Sequence, residues 1–81
     1  MTIQPNEKIN WFLVIIGLER KGYSQTSIAV VLDKGQSTIY GWKMGSTPKW
    51  EDGERLIELW SSVTGNNRET VPKVGRYSHL A

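Results

Sequence analysis

The stretch Ser24–Gly45, SQTSIAVVLDKGQSTIYGWKMG, decides the fold, because two short helical patterns meet in it around a tight turn. Ser24 is a residue type that caps the free amides in the first turn of a helix. Ile28, Ala29 and Leu32 follow at the three- and four-residue spacing of a buried helical face. Together these features predict a helix that ends at Leu32.

A turn and a second helix are predicted after Leu32. Asp33, Lys34 and Gly35 must reverse the chain, and at least one of them should need a positive φ. We place it at Gly35, which adopts that conformation freely, with Asp33 as the alternative because aspartate tolerates it better than most residues. The next helix is predicted over residues 36–44 and ends at Gly45.

The predicted helix over residues 36–44 has two unlike faces. Ile39 and Trp42 are three residues apart and should pack against the body of the protein. The other side carries amides, hydroxyls and a cation: Gln36, Ser37, Tyr40 and Lys43. Such a face would match the donors and acceptors on base edges in the major groove of DNA, which admits one helix. Packing at the rim of the helix is an equally good reading of Tyr40.

The segment resembles the helix-turn-helix of the phage Cro and lambda-repressor type, also called the XRE family of small bacterial and phage regulators. The resemblance covers residues 9–65 and is carried by Ser24, Gln25, Ile28, Ala29, Leu32, Gln36, Ser37, Thr38, Ile39, Trp42, Gly45 and Pro48, with Leu56, Ile57 and Leu59 in the helix that follows. It implies an all-α, compact four- to five-helix domain with a short C-terminal tail or extended arm. It also implies a transcription regulator, of the repressor type found in phages and mobile elements, that binds double-stranded DNA as a homodimer.

By the same resemblance, six side chains would contact DNA: Gln25, Gln36, Ser37, Thr38, Tyr40 and Lys43. Three of them, Gln36, Ser37 and Tyr40, would reach base edges. Gln25 would brace the phosphate backbone and Gln36, and Thr38 or Lys43 would touch phosphates. Neither Gln36 nor Lys43 lies on the packed face that Ile39 and Trp42 define, so the loss of either side chain is expected to leave folding stability unchanged.

Three positions depart from the family pattern. Asp33 stands where the family most often has glycine, and Lys34 stands where a small apolar residue is usual. Gly41 replaces a longer polar side chain, which leaves one side chain fewer to read DNA. A glycine inside a helix also costs about 1 kcal/mol of stability relative to alanine.

Helices are also predicted on both sides of the helix-turn-helix. The first covers about residues 7–21, and the last covers about residues 53–64 with Asp52 as its cap. Residues 1–66 are therefore predicted to form the DNA-binding domain, and residues 67–81 a C-terminal tail or arm. Within it, residues 70–81 could be disordered, add a strand across a dimer or pack on the core.

The apolar residues are sufficient for one core and leave a surplus in the first helix. Trp42, Trp50 and Trp60 are predicted to pack inside the domain rather than to stack on a ligand. The segment Trp11–Leu18 is more apolar than one buried stripe requires. A second copy of the chain is the simplest cover for the excess, which predicts a homodimer. The alternative is a first helix enclosed by the other helices and the tail.

Charge is distributed unevenly along the 81-residue chain. Residues 20–49 carry five lysine and arginine residues against one aspartate, whereas residues 50–64 carry four acids against one arginine. A basic block of this kind can mark a surface for a polyanion, although ordinary solvated charge explains it equally well.

No enzyme, cofactor, metal or small-molecule ligand is predicted. The chain has no cysteine and a single histidine, His79, and it contains no Gly-rich phosphate loop. The longest unbroken apolar run, Trp11–Ile16, has six residues, far short of the roughly 20 that cross a membrane. The lack of cysteine suits the reducing cytoplasm.

The competing interpretation is a helix-turn-helix that docks another protein, with the basic block facing an acidic partner. Salt dependence separates the two functions. Binding to DNA releases counterions and weakens steeply as salt rises, and at low salt it occurs on unrelated duplexes.

Overall fold

A computed structural model describes residues 8–74 of the chain. The described part is mostly helical, which confirms the helical class predicted from the sequence. Its elements, in chain order, are β1 (Lys8–Ile9), α1 (Trp11–Arg20), α2 (Gln25–Leu32), α3 (Gln36–Lys43), α4 (Trp50–Thr64), a 3-10 turn (Arg68–Thr70) and β2 (Lys73–Val74). None of these helices has the length and apolar character needed to cross a bilayer.

The first helix begins later than predicted. Asn10 is its N-cap, and the side-chain oxygen of Asn10 accepts a hydrogen bond from the Leu13 amide at 3.1 Å. The two residues before Asn10 are extended and pair antiparallel with β2, so that Lys8 faces Val74 and Ile9 faces Lys73. Lys8 and Ile9, which the sequence pattern assigned to a helix over residues 7–21, therefore form a strand with the C-terminal segment.

The helix-turn-helix begins as predicted, but its positive-φ residue is Asp33 and not Gly35. Ser24 caps α2 by accepting the Ser27 amide at 3.0 Å. Asp33 has φ 58° and ψ 48°, whereas Gly35 has φ −76° and ψ 153°. The amide of Lys34 donates to the Ala29 carbonyl at 2.9 Å and that of Asp33 to the Val30 carbonyl at 3.2 Å, which is a Schellman ending of α2. Gly35 is instead the extended residue that precedes α3.

The last helix starts three residues before the predicted start at Gly53, so the prediction of Asp52 as its cap is wrong. Lys49 occupies the N-cap position, and its side chain makes no capping hydrogen bond. Asp52 lies in the first turn and pairs with Lys34 at 3.1 Å. Gly53 is buried inside the helix because the Trp11 ring approaches it closely: a Cβ at this position would lie 3.0 Å from the ring. The glycine thus marks a close packing contact within the helix.

One hydrophobic core joins all four α-helices, with α1 packed against α3 and α4, and α2 packed against α3 and α4. Its buried side chains are Val14, Ile15, Leu18, Ile28, Ala29, Leu32, Ile39, Trp42, Leu56, Ile57, Trp60 and Val71. Val71 belongs to the segment predicted as a tail. Of the possibilities for that segment, Val71 packs on the core of its own chain, and Lys73–Val74 pair with β1 of the same chain. His79, the single histidine of the chain, lies outside the described residues.

Candidate functional site

The two faces predicted for α3 are confirmed by burial. Ile39 and Trp42 are in the core. The opposite side is exposed to solvent along the helix and presents Gln36, Ser37, Thr38 and Tyr40. Because α3 is held by α1 and α2 through its apolar face, this polar face is presented by a fixed element. Exposure of Tyr40, at 53%, favours the outward orientation over rim packing.

The two glutamines singled out in the sequence lie on one surface. Gln25 is the first residue of α2 and Gln36 the first residue of α3. They line the same open depression, together with Thr26 and Glu19. The Gln25 side chain is engaged within the protein, since its Nε2 donates to Glu19 Oε2 at 3.1 Å. The N-terminal ends of both helices of the helix-turn-helix therefore contribute to one continuous polar surface.

Lys43 differs from the other five predicted contact residues because it is ion-paired. Its Nζ donates to both carboxylate oxygens of Glu19, at 3.1 and 3.2 Å. The two side chains retain only 20% and 27% of their exposure. Lys43 therefore links the end of α3 to the end of α1. This ion pair is a contact within the fold that the prediction of unchanged stability did not include.

Glu19 is the residue of this surface that sequence reasoning missed. It accepts hydrogen bonds from both Gln25 and Lys43. Six residues separate it from the first partner and 24 from the second, so no helical spacing links the three side chains. The pairing follows from the way α1 crosses the helix-turn-helix.

The basic block is partly neutralised by folding. Lys34 pairs with Asp52, an acid of the following block. The remaining cations of the block, Arg20, Lys21 and Lys49, are exposed and form no ion pair within residues 8–74. The net positive charge that the sequence assigns to this region therefore overstates the charge that is free to meet a polyanion.

Of the three tryptophans predicted to be internal, Trp42 and Trp60 are buried, which confirms the prediction. Trp50 is 78% exposed, so the prediction is wrong for this residue. It lies at the first position of α4 and lines an open pocket together with Trp11 and Ile57. Within residues 8–74, no three acidic or histidine side chains converge as a metal site would require.

The chain matches no protein-family model, no curated protein sequence and no solved structure. Its function must therefore be inferred from the surface described above and from the resemblance carried by Ser24–Gly45.

Proposed function

We propose that this protein is a sequence-specific DNA-binding transcription regulator, a repressor of the Cro and lambda-repressor type, that inserts α3 into the major groove. The observation that carries the proposal is the division of α3 into a buried apolar face and an exposed polar face that presents Gln36, Ser37, Thr38 and Tyr40. An exposed helix that only solubilised the protein would not need a row of amide and hydroxyl groups on a rigidly packed support.

Each exposed side chain of α3 has a role that its chemistry allows. Gln36 can hold adenine through two hydrogen bonds, to N6 and N7, and Ser37 can bond to either kind of base edge. Tyr40, one turn after Gln36, carries a hydroxyl that can donate or accept. These three would read bases, while Thr38 would bond to a phosphate. Phosphate contacts fix the register of the helix, and base contacts supply the specificity.

The exposed cations near this surface supply affinity that does not depend on sequence. Arg20 and Lys21 end α1 close to the start of α2, and neither forms an ion pair in the described part of the chain. Each phosphate neutralised by such a cation releases counterions and strengthens binding to any duplex. A regulator of phage or mobile-element type would use this sequence-independent attraction to slide along DNA until it reaches its operator.

We further propose that the regulator acts as a homodimer. On α1, Phe12 is 46% exposed and Leu13 is 43% exposed, so the rest of residues 8–74 does not cover them. Two symmetric copies of α3 would then read half-sites about 10 base pairs apart. Sedimentation at micromolar concentration tests this proposal: we expect a dimer mass, and a monomer mass at all concentrations, with and without DNA, would refute it.

Selection of bound duplexes from a random pool tests the function directly. The expected outcome is an enriched sequence with two-fold symmetry, bound with an affinity that falls steeply as salt rises. A helix-turn-helix that docks only proteins would enrich no sequence and would bind no duplex at low salt. That result would refute the proposal and favour the interaction module.

A further inference from the structure

Glu19 occupies the position of an anionic ligand between Gln25 and Lys43, two side chains that the family resemblance directs at DNA. The Lys43 ammonium donates to both oxygens of its carboxylate, and the Gln25 amide donates to one of them, all within 3.1–3.2 Å. A cation and an amide donor converging on two oxygens are also the groups that bind a phosphate of the DNA backbone. Glu19 thus takes the place of a phosphate inside the free protein.

The position of Glu19 means that its carboxylate and a DNA phosphate would compete for the same donors. Glu19 lines the same depression as Gln25 and Gln36, so its carboxylate lies on the face proposed to meet DNA. A phosphate that reaches Lys43 must either displace the carboxylate or lie beside a second negative charge. In both cases the net attraction between Lys43 and the phosphate is smaller than for a free lysine.

We propose that Glu19 is an internal competitor for DNA phosphate, which weakens binding to arbitrary duplexes and leaves base reading by Gln36 untouched. The proposal rests on the proposed function. Its consequence is weaker binding to every duplex, whereas the ratio of specific to non-specific affinity is preserved, because a phosphate contact contributes to both complexes alike. The ion pair is partly exposed, and pairs of this kind are weak enough to exchange.

Glu19→Gln tests the proposal, because glutamine has nearly the same size and can still accept from Gln25. On a random duplex, freeing Lys43 should steepen the dependence of log K on log salt by about one unit per bound subunit and tighten binding about eightfold at 0.1 M salt. Glu58→Gln is the matched control. It removes the same charge from an exposed position on α4, and Glu58 forms no ion pair within residues 8–74.

Lys43→Ala completes the cycle in both backgrounds. In the wild type it should change the salt slope little, because Glu19 already neutralises the cation. In the Glu19→Gln background it should remove the whole gain. A larger effect of Lys43→Ala in Glu19→Gln than in the wild type would identify Lys43 as the cation that Glu19 neutralises. The effect of Lys43→Ala on the wild-type salt slope can be measured even if Glu19→Gln fails to fold.

Two other outcomes would refute the role of Glu19. One is a Glu19→Gln protein whose slope and affinity equal those of Glu58→Gln. The other is weaker binding by a folded Glu19→Gln protein, which would mean that Glu19 positions Lys43 and Gln25 for DNA. Failure of all these proteins to bind any duplex at low salt would instead refute the proposed function, and the competitor role would fall with it.

Discussion

The turn between α2 and α3 should tolerate valine at Gly35 but not at Asp33. Asp33 has φ 58°, in the left-handed region, where a β-branched side chain clashes with its own backbone. We expect Asp33→Val to cost about 1–3 kcal/mol, the scale of stored backbone strain. For a domain of this size, each 1 kcal/mol lowers Tm by about 4–8 °C.

Gly35→Val should have a much smaller effect. The backbone at Gly35 has φ −76° and ψ 153°, which valine adopts readily, and a Cβ there would lie 3.9 Å from its nearest neighbour, the Ser37 hydroxyl oxygen. Loss of a glycine also reduces the entropy of the unfolded chain, by about 0.4–1 kcal/mol. Valine is a poor N-cap, which offsets this gain. The net change should stay below about 1 kcal/mol.

Thermal melting of Asp33→Val, Gly35→Val and Asp33→Asn tests the assignment of the positive φ to Asp33. Asparagine also tolerates the left-handed conformation, so Asp33→Asn should melt close to the wild type and show that the carboxylate itself is dispensable. A Gly35→Val protein that melts well below Asp33→Val would refute the assignment of the positive φ and the Schellman ending of α2.

Three further substitutions test other parts of the structure by thermal melting. Gly41→Ala should stabilise the protein by up to about 1 kcal/mol, because alanine favours the helix and its Cβ would make only ordinary contacts, the nearest at 3.7 Å; a lower Tm would contradict this. Gly53→Val should destabilise it by about 1–3 kcal/mol, because even the Cβ would lie 3.0 Å from the Trp11 ring; an unchanged Tm would show that the ring moves freely. Lys43→Ala should cost at most about 1 kcal/mol, since its ion pair with Glu19 is partly exposed; a loss several times larger would mean that the pair behaves as a buried one.

The sequence was sufficient for the elements whose cause is local. Ser24 and the spacing of Ile28 and Leu32 predict α2, and Ile39 with Trp42 predicts which face of α3 is buried. In each case the residues that determine the element lie within one or two helical turns, so periodicity and capping chemistry are sufficient.

The features that sequence reasoning missed depend on distant residues. Residues 8–9 become a strand because Lys73 and Val74 pair with them. Gly53 lies inside α4 at a close contact with the Trp11 ring, from which a Cβ would be only 3.0 Å away. Lys43 is neutralised by Glu19, 24 residues earlier in the chain. Such contacts follow from the tertiary arrangement and leave no periodic signal in one sequence.

The positive φ at Asp33 is a different case, because the alternatives were local. Glycine is the usual residue for this conformation, and Gly35 lay only two positions away. The Schellman hydrogen bonds fix the left-handed residue immediately after Leu32, at Asp33. The distance from the last helical residue was therefore a better guide than residue preference.

The measurement that tests the central claim most directly is the ratio of specific to random-duplex affinity for Gln36→Ala. If Gln36 holds a base through two hydrogen bonds, its loss should cost about 1–3 kcal/mol per half-site, or about 5- to 150-fold, on the selected duplex. Affinity for the random duplex should hardly change. Thr38→Ala is the control on the same helix: loss of a phosphate contact should weaken both duplexes together and preserve the ratio. Gln36 is exposed, so its variant should melt like the wild type. An unchanged ratio in a folded Gln36→Ala protein would show that the start of α3 does not read bases, and it would contradict the account at its central residue.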